Sequence, residues 1–305
     1  MPRWLGLDLG GTNIKSVVLD GDVVVDRATT ATEAASGPAA VIDRLVDAGR
    51  AAIERCGPVD GVGIGVPGLF DAHTGEIEFL PNLPGLWRGQ PIVASLVAGL
   101  GAPAAIINDA RAFTLAEARI GAAAGASTVI CLVLGTGIGG GVVIDGRLHF
   151  GRHGRAGEIA HQTIVPDGPP CTCGNRGCLE ALATSGALAR LAGRPDAAAV
   201  FAAASEGDEQ AINAIEAAAN HFGVAIANMI TVLVPERVVI GGGVAAAGEL
   251  LLAPIRAAVA RHSVLVPPDW YEVVPAILGP DAGAIGAALW VSNGEADPAG
   301  EAERG

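Results

Sequence analysis

Cysteine is scarce in this sequence and unevenly placed. Of five in 305 residues, three fall within the octapeptide CTCGNRGC at 171–178. That distribution argues against a disulfide-stapled secreted scaffold. Charged side chains are sparse too, at 17%, and their balance is one-sided, with a formal net charge of -13. Affinity for nucleic acid rests on neutralising phosphates, so no nucleic-acid partner is expected. Long hydrophobic runs are missing: the glycine-broken apolar stretches nowhere reach the roughly 18 residues that a membrane helix needs, so no membrane partner is expected either. The opening MPRWLGLDLG carries one Arg and no small-residue cleavage site, so no secretory signal is expected and the chain reads as cytoplasmic. Its length suits two domains or one large one.

Glycine is abundant, with 44 residues, which implies many tight turns and close backbone approaches. One glycine-rich pattern occurs twice. Residues 9–21 read LGGTNIKSVVLDG and residues 134–146 read LGTGIGGGVVIDG. Superposed without a gap, they share Leu9/Leu134, Gly10/Gly135, Val17/Val142, Val18/Val143, Asp20/Asp145 and Gly21/Gly146. Each follows an apolar stretch of strand character, RWLGLD or STVICLV, and each ends in Asp-Gly, a pair that favours a hairpin turn. The repeat implies a duplicated lobe in which each copy offers backbone N–H groups to a phosphate. This is neither a Walker loop nor a Rossmann fingerprint. No G-x-x-x-x-G-K-[ST] occurs, and each turn lies inside a hairpin rather than between a strand and a helix.

The rest of the chain alternates. Residues 39–56 have helical spacing, 59–68 read as a buried strand ended by Pro67-Gly68, and PIVASLVAGLG reads as a helix. AAIIN at 104–108 reads as a short strand feeding a helix from Asp109. A long helix is predicted over 208–235, stopped by Pro235, then a strand at 237–243 and a helix through Arg261. Residues 280–290 read as a closing helix of small side chains. Strands alternating with helices favour an α/β fold.

The crowded thiols form C-x-C-x4-C, with Gly174 and Gly177 letting the chain turn back. A disulfide would leave an odd thiol in the cluster, so the residues favour a tetrahedral zinc site of three thiolates and one histidine. His161 lies upstream, but His149 and His153 compete with it on spacing alone.

A wider pattern is now visible. LDLGGTNIK (7–15), GVGIGVPG (61–68), NDARA (108–112), LGTGIGGGVVIDG (134–146), GEIAH (157–161), CTCGNRGCLE (171–180) and VVIGGG (238–243) follow one another in this order. The chain thereby resembles the ROK family of sugar kinases and related repressors, from residue 4 to about 290. The resemblance implies an α/β, actin-like and ribonuclease-H-like duplicated fold of two lobes with a central cleft. It divides the chain into a small domain, 1–108, completed by a C-terminal helix at about 281–292, and a large domain, 109–280, holding the zinc loop. Residues 293–305 are polar and expected to be a disordered tail.

The resemblance also assigns roles. Asp109 is the general base that takes a proton from a hexose 6-hydroxyl as it attacks the γ-phosphate of ATP. The bland alternative for Asp109 is a helix N-cap. Asn108, Glu158, His161 and Glu180 are sugar-binding groups, with Asn82 and Gly68 lining the same pocket. His161, Cys171, Cys173 and Cys178 hold structural zinc, expected to be remote from the phosphates. Gly10, Gly11 and Thr12 form one phosphate turn; Gly135, Thr136 and Gly137 form the other. Asp8 holds Mg2+ through water and Lys15 helps neutralise phosphate, while Gly241, Gly242 and Gly243 take the adenosine. Ala160 stands where the family usually has Gly, and Arg111 where a smaller residue is usual. Glucose is the leading substrate, with N-acetylmannosamine, fructose and allose as alternatives, and a homodimer is expected. A sugar-responsive repressor needs a DNA-binding module, for which LGLDLGGT beginning at residue 5 leaves no room. A non-catalytic sugar-binding protein would be expected to lack Asp109 or a phosphate turn.

Overall fold

The protein is seen in a computed structural model that describes residues 2–71, 74–81 and 83–292. The expected tail at 293–305 and Asn82 lie outside the described residues. In chain order come β1 (Arg3–Leu9), β2 (Asn13–Asp20), β3 (Val23–Ala31), α1 (Pro38–Cys56), β4 (Gly61–Val66), the short pair β5 (Leu69–Phe70) and β6 (Ile77–Phe79), α2 (Ile92–Leu100), β7 (Ala104–Asn108) and α3 (Asp109–Arg119). There follow β8 (Val129–Leu134), β9 (Ile138–Ile144), β10 (Arg147–Leu148), α4 (Leu179–Ala183), α5 (Ser185–Leu191), α6 (Ala197–Ser205), α7 (Glu209–Leu233), β11 (Arg237–Gly241), α8 (Glu249–His262), β12 (Glu272–Pro275) and α9 (Ala282–Ser292).

By packing, the chain forms two compact units. One comprises the residues up to Ile120, Phe150–Gly154 and those from Pro280 on; the other comprises Gly121–His149 and Arg155–Gly279. A division after Asn108, as the family pattern suggested, falls one helix earlier than this division by packing. The physical reason is that α3 lies against α9, which belongs with the first sheet.

The first sheet has the order β3-β2-β1-β4-β7 and the second β10-β9-β8-β11-β12. Each begins with antiparallel pairing and continues in parallel: β1 pairs β2 antiparallel and β4 parallel, as β8 pairs β9 and β11. The sequence repeat is thus a structural repeat. Both glycine turns sit at the tip of an antiparallel hairpin, between β1 and β2 and between β8 and β9. At the far end of the second hairpin, Asp145 and Gly146 have φ of 52° and 75°, the left-handed pair of a tight primed turn.

Side-chain alternation decides what covers the first sheet. Leu5, Leu7 and Leu9 of β1 and Val62, Ile64 and Val66 of β4 are buried in one core with Val41, Leu45, Ile92 and Leu96 of α1 and α2. The intervening positions of β4 are Gly61, Gly63 and Gly65. On that face α9 comes down nearly to the backbone. A methyl on Gly63 would lie 1.7 Å from the Ala287 carbonyl oxygen, and one on Gly6 1.8 Å from that of Ala284. The small side chains of the closing helix permit this approach. Across α9, a methyl on Gly286 would meet the Ala112 carbonyl oxygen of α3 at 1.7 Å.

In the second unit, Ile130, Leu132 and Leu134 of β8 pack with Phe222, Ile226 and Ile230 of α7 and Ile255 and Val259 of α8. Helix α7 stops at Leu233, and Val234 takes a left-handed φ of 46°, because a residue before proline is barred from the helical region. No described helix is long and apolar enough to cross a membrane.

The glycine face yields a direct test. Gly63→Ala is expected to lower unfolding stability by at least about 2 kcal/mol, since backbone on both sides of the added methyl must move. Denaturant unfolding of purified protein checks this.

Candidate active site and metal centre

The first glycine turn, Gly10–Thr12, is held from beneath. Gly10 N donates to Asn13 O at 2.9 Å, closing the turn. Thr32, fully buried at the end of β3, donates Oγ1–H to Gly10 O at 2.7 Å and its N–H to Thr12 O at 2.8 Å. Gly11 and Thr12 remain exposed, with their backbone shaped before any ligand arrives. Sequence reasoning missed Thr32, because nothing in the local pattern marks a threonine twenty residues downstream of the turn it braces.

Beside this turn lies Asp8. Its carboxylate sits against the first turn of α9, where a methyl on Gly283 would lie 2.7 Å from Oδ2, and a methyl on Gly65 would lie 3.5 Å from Oδ1. Burial pushes the Asp8 carboxyl up to about 6, against the pull of Lys15, with Asp281 pushing the same way as burial. Lys15 is its cross-strand partner in β2, and the Lys15 ammonium donates to the Pro280 carbonyl. A half-buried carboxylate with an unfavourable charge is suited to a hydrated divalent cation.

At the C-terminal end of β7, Asn108 and Asp109 divide two tasks. Asn108, not Asp109, is the N-cap of α3: its Oδ1 accepts from Ala110 N at 3.1 Å and Arg111 N at 3.3 Å. Its Nδ2 donates to Gly68 O at 3.4 Å, bringing Gly68 to the same place. Asp109 occupies the first helical position, where Oδ1 accepts from Ala110 N at 2.8 Å. The two side chains thus share the Ala110 amide, with Asn108 at the cap position and Asp109 within the first turn.

The second unit holds its own group of residues. Gly135 N donates to Gly137 O at 2.9 Å, and Ser185 N donates to Gly135 O at 3.2 Å. Gly242, with φ of 88°, backs onto this hairpin so closely that a methyl would lie 2.4 Å from Leu134 O. The Gly241–Gly243 loop and the Gly135–Gly137 turn are thus neighbours. Glu158 is exposed, just before a 3-10 turn at Ile159–His161.

That turn leads into the thiols. Isolated bridges pair Thr163 with Cys178 and Pro170 with Arg176, and Leu179 N donates to Gln162 O at 3.1 Å. This pairing carries His161 to the cysteines. Gly177, at φ 66°, lies where any side chain would enter the Val165 carbonyl, at 1.6 Å. The ligand atoms of His161, Cys171, Cys173 and Cys178 all lie within 4.8 Å of one another. Cys171 Sγ is 3.6 Å from His161 Nδ1, and Cys173 Sγ is 3.7 Å from Cys178 Sγ. Zinc–sulfur bonds of about 2.3 Å at tetrahedral angles require sulfur separations of about 3.8 Å, so the residues fit the metal. None of the five cysteines is in a disulfide. Burial pushes the Cys178 thiol up to about 12; a bound cation is what would draw its proton off. Of the competing histidines, His149 is not in the cluster, and the side chain of His153 lies outside the described residues.

The thiol loop lies close to the Gly135–Gly137 turn, the turn that the family resemblance assigned to phosphate. Glu180, in the first turn of α4, spans the two. Its Oε2 lies 3.7 Å from Cys171 Sγ and 3.9 Å from His161 Nδ1, while Oε1 lies 3.5 Å from Ile138 N. A methyl on Gly137 would be 3.1 Å from that same Oε1.

These arrangements match known proteins. A family profile described as the ROK family matches residues 4–293. This chain belongs to the ROK family. A glucokinase of Thermotoga maritima is 37% identical over 306 residues, covering 94% of this chain and 96% of the relative. The crystal structure of a ROK hexokinase from Thermus thermophilus superposes with a TM-score of 0.84 at 36% identity, covering 96% of this chain and 99% of that one. A ROK glucokinase from Streptomyces griseus, solved with glucose and AMPPNP, superposes at 0.79 with 34% identity, covering 94% and 98%. The two five-stranded units are the halves of the actin-like, ribonuclease-H-like duplicated fold of ROK kinases.

Two tests follow for this ROK site. Asp8 has a folded pKa of about 6 against an ordinary 3.8, so the fold binds its proton more tightly than the unfolded chain. Stability therefore falls as pH rises from about 4 to 6, and the penalty stays constant above. Without divalent cation, Asp8→Asn is expected to be more stable than the parent above pH 6, by the order of 2–3 kcal/mol, with the gap closing toward pH 4. Thermal melts across that range measure it. Cys173→Ser is expected to lose bound zinc, about one per chain in the parent, as elemental analysis of the purified proteins would report.

Proposed function

We propose that this protein is an ATP-dependent sugar kinase that phosphorylates the 6-hydroxyl of glucose. What carries the reading is the position of Asp109, a carboxylate at the first position of α3 immediately after the Asn108 cap, in a chain that matches glucokinases along almost its whole length.

Phosphoryl transfer asks for alignment, charge stabilisation and one proton acceptor. Asp109 supplies the acceptor, holding the 6-hydroxyl proton as that oxygen attacks the terminal phosphate. Asn108, through its amide, and Gly68, through its backbone, are orienting groups for the sugar. Glu158, His161 and Glu180 are the others, and each carboxylate can accept from two adjacent hydroxyls. The amides of Gly10–Thr12 and Gly135–Gly137 receive the phosphates, and the Gly241–Gly243 loop receives the adenosine. Mg2+, when bound, neutralises charge developing between the phosphates, and Asp8 is the residue to hold its water shell. Zinc, when bound by His161, Cys171, Cys173 and Cys178, supplies no chemistry to the reaction; it orders the loop that carries the sugar groups. The family reading also includes a cytoplasmic homodimer without a nucleic-acid partner, and a formal charge of -13 agrees with that last point.

The protein is expected to consume ATP with glucose and Mg2+, tested against a panel of hexoses to fix the preferred sugar. Asp109→Asn should lower kcat by about 10^2–10^4-fold, the usual worth of a positioned base, while calorimetry shows glucose still bound. Undiminished turnover in this variant removes Asp109 from the role.

A further inference from the structure

The segment Phe150–Gly154 packs with the first unit, although the chain on both sides of it, Gly121–His149 and Arg155–Gly279, belongs to the second. It forms a strap with little rigidity of its own. It consists of a single 3-10 turn at Arg152–Gly154, and Gly151 and Gly154 both have positive φ, at 59° and 67°. Its course is therefore set by what it is fastened to.

The fastening is Arg111, two residues beyond Asp109 on α3. Its Nη2 donates to Gly154 O at 2.6 Å, and its guanidinium carbon lies 5.4 Å from the centre of the Phe150 ring. Phe150 in turn packs on Trp290 of α9, with centroids 5.4 Å apart and planes tilted by 53°. A planar guanidinium can stack and donate at once; a compact lysine ammonium cannot stack flat on a ring while bonding a carbonyl, and a small side chain does neither. Four residues past Gly154 the chain reaches Glu158, and three further on His161.

We propose that Arg111 is a positioning residue for the sugar: by stacking on Phe150 and bonding Gly154 it ties the strap to the helix that carries Asp109, and so fixes where the chain departs for Glu158 and His161. The proposal rests on Glu158 and His161 being sugar groups. When the strap is released, only a fraction of molecules presents them, and apparent sugar affinity falls by that fraction. The nucleotide turns are fastened by other residues, Thr32 and Ser185, so ATP affinity should not follow.

The test compares Arg111→Ala, Arg111→Lys and Phe150→Leu with the parent in four measurements: glucose KM, ATP KM, zinc content and limited trypsin digestion. Arg152 and Arg155 are exposed and flank the end of the strap, so cleavage there reports its release without reference to activity. Arg111→Ala is expected to raise glucose KM about ten-fold, equivalent to about 1.4 kcal/mol, with ATP KM and zinc content unchanged and cleavage at Arg152 and Arg155 faster. Arg111→Lys and Phe150→Leu should each show about a third of that rise, since each keeps a cationic donor for the Gly154 carbonyl while losing the guanidinium stack on Phe150. Should Arg111→Ala fail to fold, these two variants carry the comparison. Unaltered cleavage, an unaltered glucose KM, or an equal rise in both KM values would each overturn the proposal. If the parent does not phosphorylate glucose, the functional reading fails instead, and the digestion still decides whether Arg111 holds the strap.

Discussion

The first unit depends on one close approach: helix α9 lies almost on the backbone of β1 and β4, at distances only glycine permits. Ala284 and Ala287 present carbonyl oxygens where Gly6 and Gly63 have no side chain, and Gly286 clears the Ala112 carbonyl of α3 in the same way. The last helix of the chain thereby becomes part of its first sheet. The consequences are chemical. The first turn of α9 covers the Asp8 carboxylate, which raises its pKa, and Pro280 just before it takes the Lys15 ammonium. Helix α3, carrying Asp109, rides on the opposite side of α9. Two side chains central to the proposed reaction are thus referenced to one helix.

In the second unit the corresponding constraint is the knuckle at Cys171–Cys178. Its tip contributes little apolar packing: residues 172–176 are exposed and Cys171 only half-buried, while Cys178 alone of the three thiols is buried. Order there must come from backbone bridges and from whatever the four ligand atoms hold. Glu180 shows why this matters beyond the knuckle. One of its oxygens faces the ligand cluster and the other faces the Gly137 turn, so displacement of the thiol loop displaces a carboxylate beside that turn.

Much of this was legible in the sequence, for identifiable reasons. Helix α1, helix α7 with its stop at Pro235, and strands β4 and β7 each have a pattern confined to one short stretch of chain. The duplication was legible because both hairpin turns need glycine at matching places. The short helices α4, α5 and α6 were not legible, since each is too short to show a helical period. His161 could not be separated from His149 by spacing, because what selects it is strand-like pairing of Thr163 with Cys178. Thr32 and Arg111 act on partners far along the chain, and their neighbours in sequence carry no mark of it. Asn108 and Asp109 were recognised together, but which one caps the helix depended on the backbone at Asn108, whose extended ψ of 140° makes it the cap.

The duplication also shows how two turns built on one backbone pattern come to differ in their side chains. Superposed at the same offset, Asp8 falls on Val133 and Lys15 on Gly140, so the charged pair exists in only one copy. The first turn therefore has the Asp8 carboxylate and the Lys15 ammonium beside it. The second has a glycine loop that backs directly onto it and the Glu180 carboxylate alongside. Equal backbones provide equal hydrogen-bond donors; unequal side chains give the two turns different charge, and only the first copy pairs a carboxylate with a lysine across its strands.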